Sequence, residues 1–446
     1  MSEEDLASFL SQTRITDGNT QAPAEQKTHK FWATQPVPQQ GDLPPLEDGC
    51  IEPSSPRDQV RQEPYPLPKE FEWVTVDIMN PTENKEVHDL LSMHYVEDVN
   101  ASLRFKYSAE FLRWALTPPG YVKEWHVGVR VSANKKLVAF ISGVPMNLRV
   151  RGKEFSSSEV NYICIHKKLR SKRLAPVLIK EVTRRIHLEG IFQAIYTAGT
   201  VIPTPIAVCR YYHRSINIPK LLEVGFTYVP RNSTAARMIR TNKLPDKPTL
   251  AVRPMEERDV TSVAELFARY MQRFDMVPLM TLEEVRHHFL SAQGTQDEGP
   301  GRKTGQVTWT YVVENSETQK ITDFFSFYSL PSTVLQNSAH DTIEAGYLYY
   351  YATDVAFKDG ADEDGRLKSR LETLIGDALI VASQAGMDVF NALTLMDNVP
   401  ILKDLKFGLG DGYLNFYLYN WRTAKLAGME EEGGVRAGMG VGVVML

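Results

Sequence analysis

Cysteine is scarce in this chain: Cys50, Cys164 and Cys209 are the only three in 446 residues. The odd count, wide separation and lack of metal-like spacing leave no disulfide framework or metal centre to expect, and suit a reducing, cytoplasmic compartment. No apolar run reaches the roughly 18 residues of a membrane span, and no secretory leader is legible. A large excess of one charge is missing too. Fifty Lys and Arg against 55 Asp and Glu give a net charge of −5, which argues against wholesale nucleic-acid binding and leaves room only for a local basic groove.

What the chain does have is ample core material, 43% hydrophobic and 10% aromatic residues. Residues 1–28 read as a disordered segment and 29–71 as an extended arm, both within a stretch rich in Pro, Gln, Glu, Asp and Ser. His29-Lys-Phe-Trp-Ala-Thr-Gln-Pro36 interrupts that polarity. Length alone suggests roughly three domains, but internal repetition argues otherwise. Asn217-Ile-Pro-Lys-Leu-Leu is echoed by Asn398-Val-Pro-Ile-Leu-Lys, Phe192-Gln-Ala-Ile by Phe390-Asn-Ala-Leu, and Leu137-Val-Ala-Phe-Ile-Ser by Ile321-Thr-Asp-Phe-Phe-Ser, all in the same order. We read two α/β halves of one fold, 72–245 and 250–446, with mixed sheets joined into one core. Residues 201–215 lengthen the first half and read as a functional loop insertion. Residues 359–365 read as a surface loop.

The densest chemistry lies in 159–199. Residues 160–165 are short, β-branched and aromatic with both faces largely apolar, the pattern of a buried strand. Five cations, Lys167, Lys168, Arg170, Lys172 and Arg173, lie within the seven residues 167–173, and Pro176 suits the first turn of a helix. Cations beside free helix-start amides make an anion site; a solvated basic turn or a nucleic-acid patch is the plainer alternative. Arg170-x-x-Arg173-x-Ala175 resembles the pyrophosphate loop of GNAT acyltransferases, with Arg173 replacing the middle glycine.

EVNYICIHKKLRSKRLAP, the YTAG at 196–199 and KFGLGDGYLNFYLYNW at 406–421 together resemble the N-myristoyltransferase (glycylpeptide N-tetradecanoyltransferase) family. The likeness runs from about His29 to Leu446. It departs at Tyr162-Ile163, where the family has Phe-Leu, and at Val99, which breaks the acidic run of a loop expected at Glu97-Asp98. The resemblance implies a GNAT-like fold duplicated into two pseudo-symmetric halves, with acyl-CoA bound by 72–245 and peptide by 250–446. It implies myristoyl-CoA as acyl-donor co-substrate, no prosthetic group, and N-terminal glycine peptides and nascent proteins as partners. A monomer with ribosome association and no specific nucleic acid is expected. Met1-Ser2 lacks the glycine that N-myristoylation requires, so the chain is not expected to be its own substrate.

On this resemblance, acyl-CoA is held by Lys30, Phe31 and Trp32 of the arm, by Tyr162, Ile163, Cys164 and Ile165, and by Arg170, Ser171, Lys172, Arg173, Leu174, Ala175 and Pro176. The backbone amides of Tyr162 and Ile163 form the oxyanion hole, and Asn161 and Thr197 orient the amine. Peptide contacts are assigned to Val96, Glu97, Asp98, Tyr107, Tyr211, His213, Ser332, Asp411 and Gly412. An N-terminal amine with a pKa of about 8 is mostly protonated at neutral pH and needs a base. His166 reads as a surface residue and His213 as a substrate contact. The resemblance points instead to the carboxylate of Leu446, and the apolar stretch 440–446 permits its burial. Cys164 has no His-Asp partner and reads as a core residue, so direct transfer is expected. A shorter acyl-CoA substrate and an RNA- or ribosome-binding module are the competing functions.

Overall fold

Two stretches that read alike fold alike. Asn217-Ile-Pro and Asn398-Val-Pro each place proline in the first turn of a short helix, at Ile218–Glu223 and Val399–Leu402, where its missing N–H costs nothing. The computed structural model describes residues 29–98, 102–295, 297–299, 301–335, 337, 339–427 and 439–446, and a two-residue strand at Arg14–Ile15.

The first half supplies β1 (Phe71–Thr75), α1 (Pro81–His94), β2 (Glu97–Asp98), β3 (Leu103–Phe105), β4 (His126–Val131), β5 (Leu137–Val150), β6 (Lys153–Ile165), α2 (Leu174–Leu188), β7 (Ala194–Ala198), β8 (Ala207–Ser215) and α3 (Ile218–Glu223). The second supplies β9 (Val252–Pro254), β10 (Met276–Pro278), β11 (Thr308–Glu314), β12 (Ile321–Ser329), β13 (Ser332–Val334), β14 (Ala345–Thr353), α4 (Arg366–Gln384), β15 (Val389–Leu393), α5 (Val399–Leu402) and β16 (Gly408–Tyr419).

The connectivity repeats. Antiparallel β5 and β6 lead through α2 to β7, which lies parallel to β6; antiparallel β12 and β14 lead through α4 to β15, parallel to β14. The halves then exchange strands. β8 pairs with β15, and β16 lies between β8 and β7. One mixed sheet of 13 strands results, in the order β9-β11-β12-β14-β15-β8-β16-β7-β6-β5-β4-β1, with β10 on β5.

Two sequence expectations change here. Residues 201–215 are not a loop throughout: 207–215 form β8 near the centre of the sheet, with Ala207 and Cys209 buried on one face and Tyr212 and Arg214 on the other. The acidic stretch expected as a loop forms β2, whose Glu97 pairs with Arg104 of β3; Val99 and the side chains of Glu97 and Asp98 lie outside the described residues.

The core is aromatic. Phe267, Phe289, Phe324, Tyr349, Tyr350 and Tyr351 are all almost fully buried, each contributing roughly 1.5–3 kcal/mol by burial. The site is placed by a different feature. β6 and β7 pair only at Ser158↔Ala194 and Glu159↔Ile195, after which the two parallel strands part. The gap beyond their carboxyl ends is where open α/β sheets receive ligands.

Candidate active site

β6 carries a bulge where it leaves β7. Phe140 pairs with Cys164 and Ser142 with Asn161, so Tyr162 and Ile163 together face Ile141 alone. Tyr162 has a φ of 55°, a left-handed conformation that costs a non-glycine residue about 1–3 kcal/mol. Packing holds it there: Tyr162 is 2% exposed and meets Tyr107 edge-on with centroids 5.4 Å apart. The bulge breaks the ladder and re-aims the peptide units of 161–163 into the gap. The Tyr162 N–H donates to Asn161 Oδ1 at 2.8 Å.

The chain's last residues enter the gap from the other side. Gly442 N–H donates to the Met276 carbonyl at 2.7 Å, and Met396 N–H to the Val441 carbonyl at 3.0 Å. A side chain at Gly442 would stand 2.7 Å from Val277 Cγ1, so only glycine lets the tail pass β10 this closely. Val443, Val444 and Met445 are buried. Asn161 Nδ2 donates to the Leu446 main-chain oxygen, and Leu446 N–H donates to Glu159 Oε1 at 3.4 Å.

These groups line a cavity of about 260 Å³. Its wall on one side is aliphatic, with Ile141, Val160, Ile179, Val182 and Ile202. Asn161, Thr197 and Leu446 form a polar middle, and Tyr107, Tyr211, Tyr328, Tyr347 and Gly412 an aromatic far side. Val96 also lines it. Trp32 of the arm closes the aliphatic side, 5% exposed and stacked on Tyr196 at 5.2 Å with rings 4° from parallel. Phe31 packs edge-on against Trp32, and Lys30 is exposed beside them.

The cationic turn lies at the end of β6. Lys167–Lys172 form a single 3₁₀ stretch, and Arg173, with φ 57°, turns the chain into α2. Glycine would suit that conformation better, which is the position where the GNAT pattern has glycine. Arg170 donates to the carbonyls of Ile165 and His94, so it braces the turn as well as lining the cavity. Leu174 and Ala175, the first two residues of α2, are buried, and Pro176 is half-buried. The backbones of Ser171 and Lys172 belong to the turn; their side chains lie outside the described residues. His166 caps the turn, accepting from Lys168 N–H at 3.3 Å. Its ring meets that of His94 at 4.1 Å. Burial, then the charges of His166 and Lys167, depress His94 to about 4.

His213 is placed away from the cavity wall. Its Nδ1 lies 2.6 Å from Asn391 Oδ1, and burial depresses its pKa against the opposing pull of Asn391 and Asp411. Gly410 packs so closely that a Cβ there would sit 2.5 Å from His213 Nε2. Asp411 is exposed on β16, and Ser332 pairs with Phe105 on β13. Cys164 is buried, its thiol pushed up to about 12 by burial, which disfavours a thiolate nucleophile.

Sequence reasoning missed Glu159, Tyr95, Phe105, Tyr328, Leu330 and Tyr347. Glu159 had a signal, a lone acid at the edge of an apolar strand. Tyr95 reaches the cavity from the end of α1, against Tyr107 and Tyr162, and Phe105 through the pairing of β3 with β13, while Tyr328, Leu330 and Tyr347 come from the second half.

A bulged strand end beside an aliphatic cavity, with a cationic turn at the same edge, suits an acyltransferase that works on a CoA thioester. Residues 50–209 match the N-terminal domain of myristoyl-CoA:protein N-myristoyltransferase, and 223–444 its C-terminal domain. The chain belongs to this family. It is 48% identical to the glycylpeptide N-tetradecanoyltransferase of Mycosarcoma maydis, over 90% of this chain and 66% of that protein, and 52% identical to that of Emericella nidulans, over 99% and 88%. The crystal structure of Saccharomyces cerevisiae N-myristoyltransferase with bound myristoyl-CoA superposes with a TM-score of 0.87 at 47% identity, over 95% of this chain and all of the other. No helix among the described residues is long and apolar enough to cross a membrane.

Proposed function

We propose that the chain transfers the myristoyl group of myristoyl-CoA to the α-amino group of an N-terminal glycine by direct attack. The acyl chain lies along the aliphatic side of the cavity under Trp32. The cationic turn with Arg173 and Lys172 receives the CoA phosphates, and the aromatic side with Tyr107 and Tyr211 receives the peptide. On this reading 72–245 supplies most of the acyl-CoA site and 250–446 most of the peptide site.

The glycine ammonium gives a proton to the Leu446 carboxylate. The freed amine, held by Asn161 and Thr197, attacks the thioester carbon. Negative charge on the carbonyl oxygen meets the re-aimed amides of Tyr162 and Ile163, donors of a kind that supply roughly 3–4 kcal/mol. Collapse expels the CoA thiolate, which takes up the proton that the attacking nitrogen gives up as it becomes the neutral amide, and the proton held by Leu446 passes to solvent. Cys164 takes no part.

The observation that carries this reading is the hydrogen bond from Asn161 Nδ2 to the Leu446 oxygen at the point where β6 bulges away from β7. A few residues appended after Leu446 test it. Single-turnover transfer to a Gly-initiated peptide should fall by about 10² or more, the scale of a lost general base, with myristoyl-CoA affinity preserved. Undiminished transfer would exclude the Leu446 carboxylate as the base.

A further inference from the structure

The mechanism above leaves one buried acid of the site unused. Glu159 stands on β6 two residues before Asn161, at the last pair β6 makes with β7, and is 7% exposed. Its Oε1 accepts from Leu446 N–H at 3.4 Å and lies 3.5 Å from Asn161 Nδ2. That same Nδ2 donates to the Leu446 oxygen, while Asn161 Oδ1 accepts from the bulge amide of Tyr162. Glu159, Asn161 and Leu446 therefore close a small hydrogen-bonded ring that joins the tail to the bulge.

An acid in this place is costly. The tyrosines Tyr162, Tyr328, Tyr349 and Tyr350 lie near it, no cation among the described residues offsets its charge, and burial pushes its carboxyl up to about 7. Packing alone is served better by an apolar residue. What an apolar residue lacks is an acceptor for the last main-chain N–H of the chain, which sits where water has little access.

We propose that Glu159 is a positioning residue for acyl transfer: it holds the last peptide unit so that the Leu446 carboxyl faces Asn161 and the gap between β6 and β7. The inference rests on the Leu446 carboxyl being the base. Glu159 receives no proton from the amine and acts only through the tail. Either protonation state leaves Oε1 able to accept, so an amide should serve in its place.

The test uses the full chain with Glu159→Ala, Glu159→Gln, the extension after Leu446, and the extension combined with Glu159→Ala. Single-turnover transfer to a Gly-initiated peptide and the Kd of myristoyl-CoA are measured for each. Glu159→Ala should slow transfer by about 10- to 100-fold, the scale of a misplacement of roughly 1 Å, with Kd nearly unchanged. Glu159→Gln should recover most of the rate. In the extended chain, where the base is already displaced, Glu159→Ala should add nothing.

A slow extended chain beside a Glu159→Ala variant of normal rate would overturn the inference and leave the base intact. A normal rate in the extended chain would instead remove the base and the inference together. Equal slowing by Glu159→Ala with and without the extension would show that Glu159 does not act through the tail. Should Glu159→Ala lose myristoyl-CoA binding, Glu159→Gln and Glu159→Asp decide. Asp withdraws the acceptor and should be the slower, and equal rates overturn the proposal.

Discussion

The main-chain N–H of Val444 donates to the hydroxyl of Tyr350 at 3.0 Å, both buried in the aromatic core. The tail is thus anchored two residues before Leu446 by a side chain of β14. Tyr350→Phe removes the acceptor and leaves a buried N–H with no partner, at a cost of about 1–3 kcal/mol. The urea midpoint should fall accordingly. Transfer in a single turnover should also slow while myristoyl-CoA binding holds, since the tail and not the acyl cavity is loosened. An unchanged midpoint would mean that Val444 finds another acceptor.

Arg173 combines a left-handed backbone with an exposed cation in the turn that the proposed function assigns to the CoA phosphates. Arg173→Gly relieves the backbone, and an exposed cation contributes little to folding, so stability should change by less than about 1 kcal/mol. Affinity for myristoyl-CoA should nevertheless drop, and the drop should shrink as salt rises, because a phosphate contact is screened. Titration calorimetry at two salt concentrations checks this. Unaltered affinity would remove Arg173 from the phosphate site.

Most of the fold could be read from the sequence where local pattern decides structure. The buried strand around 160–165, the helix after the cationic turn and the two Asn-x-Pro helices are set by apolar runs and proline. Asn217 and Asn398 show where such reading stops. Asn217 Oδ1 accepts from Lys220 N–H at 3.4 Å as an ordinary helix cap. Asn398, alike in sequence, donates to the Leu393 carbonyl and accepts from the Tyr351 hydroxyl, each at 2.8 Å, in the buried core. Strand β8 was masked by the same limit: its partners β15 and β16 lie nearly 200 residues away, and no local signal names them. The bulge at Tyr162 depends on a register with β5, and the tyrosine side of the cavity on the exchange of strands between halves. Neither has a short-range signature.

Glu159 gives the fold a pH dependence with a definite sign. Its carboxyl is raised from 4.5 to about 7, chiefly by burial, with the Leu446 N–H and Asn161 pulling the other way. The native state therefore binds more protons than the unfolded chain between those values, and stability falls as pH rises through that window. Below about 4.5 both states are protonated and the effect vanishes; above about 7 both are ionised and the destabilisation is complete. The facing hydroxyls of Tyr162, Tyr328, Tyr349 and Tyr350 are all raised above their usual value of 10.0 by burial, so they do not titrate in this range. Glu159→Gln removes the titration and keeps an acceptor for Leu446 N–H. Urea unfolding of both proteins at pH 5 and pH 8 isolates the difference: the native protein should lose more stability than the variant over that interval, by an amount on the order of 1–3 kcal/mol. Parallel losses in the two proteins would mean that Glu159 is ionised in the native state throughout, and that its burial is relieved by water or by a partner beyond Asn161 and Leu446.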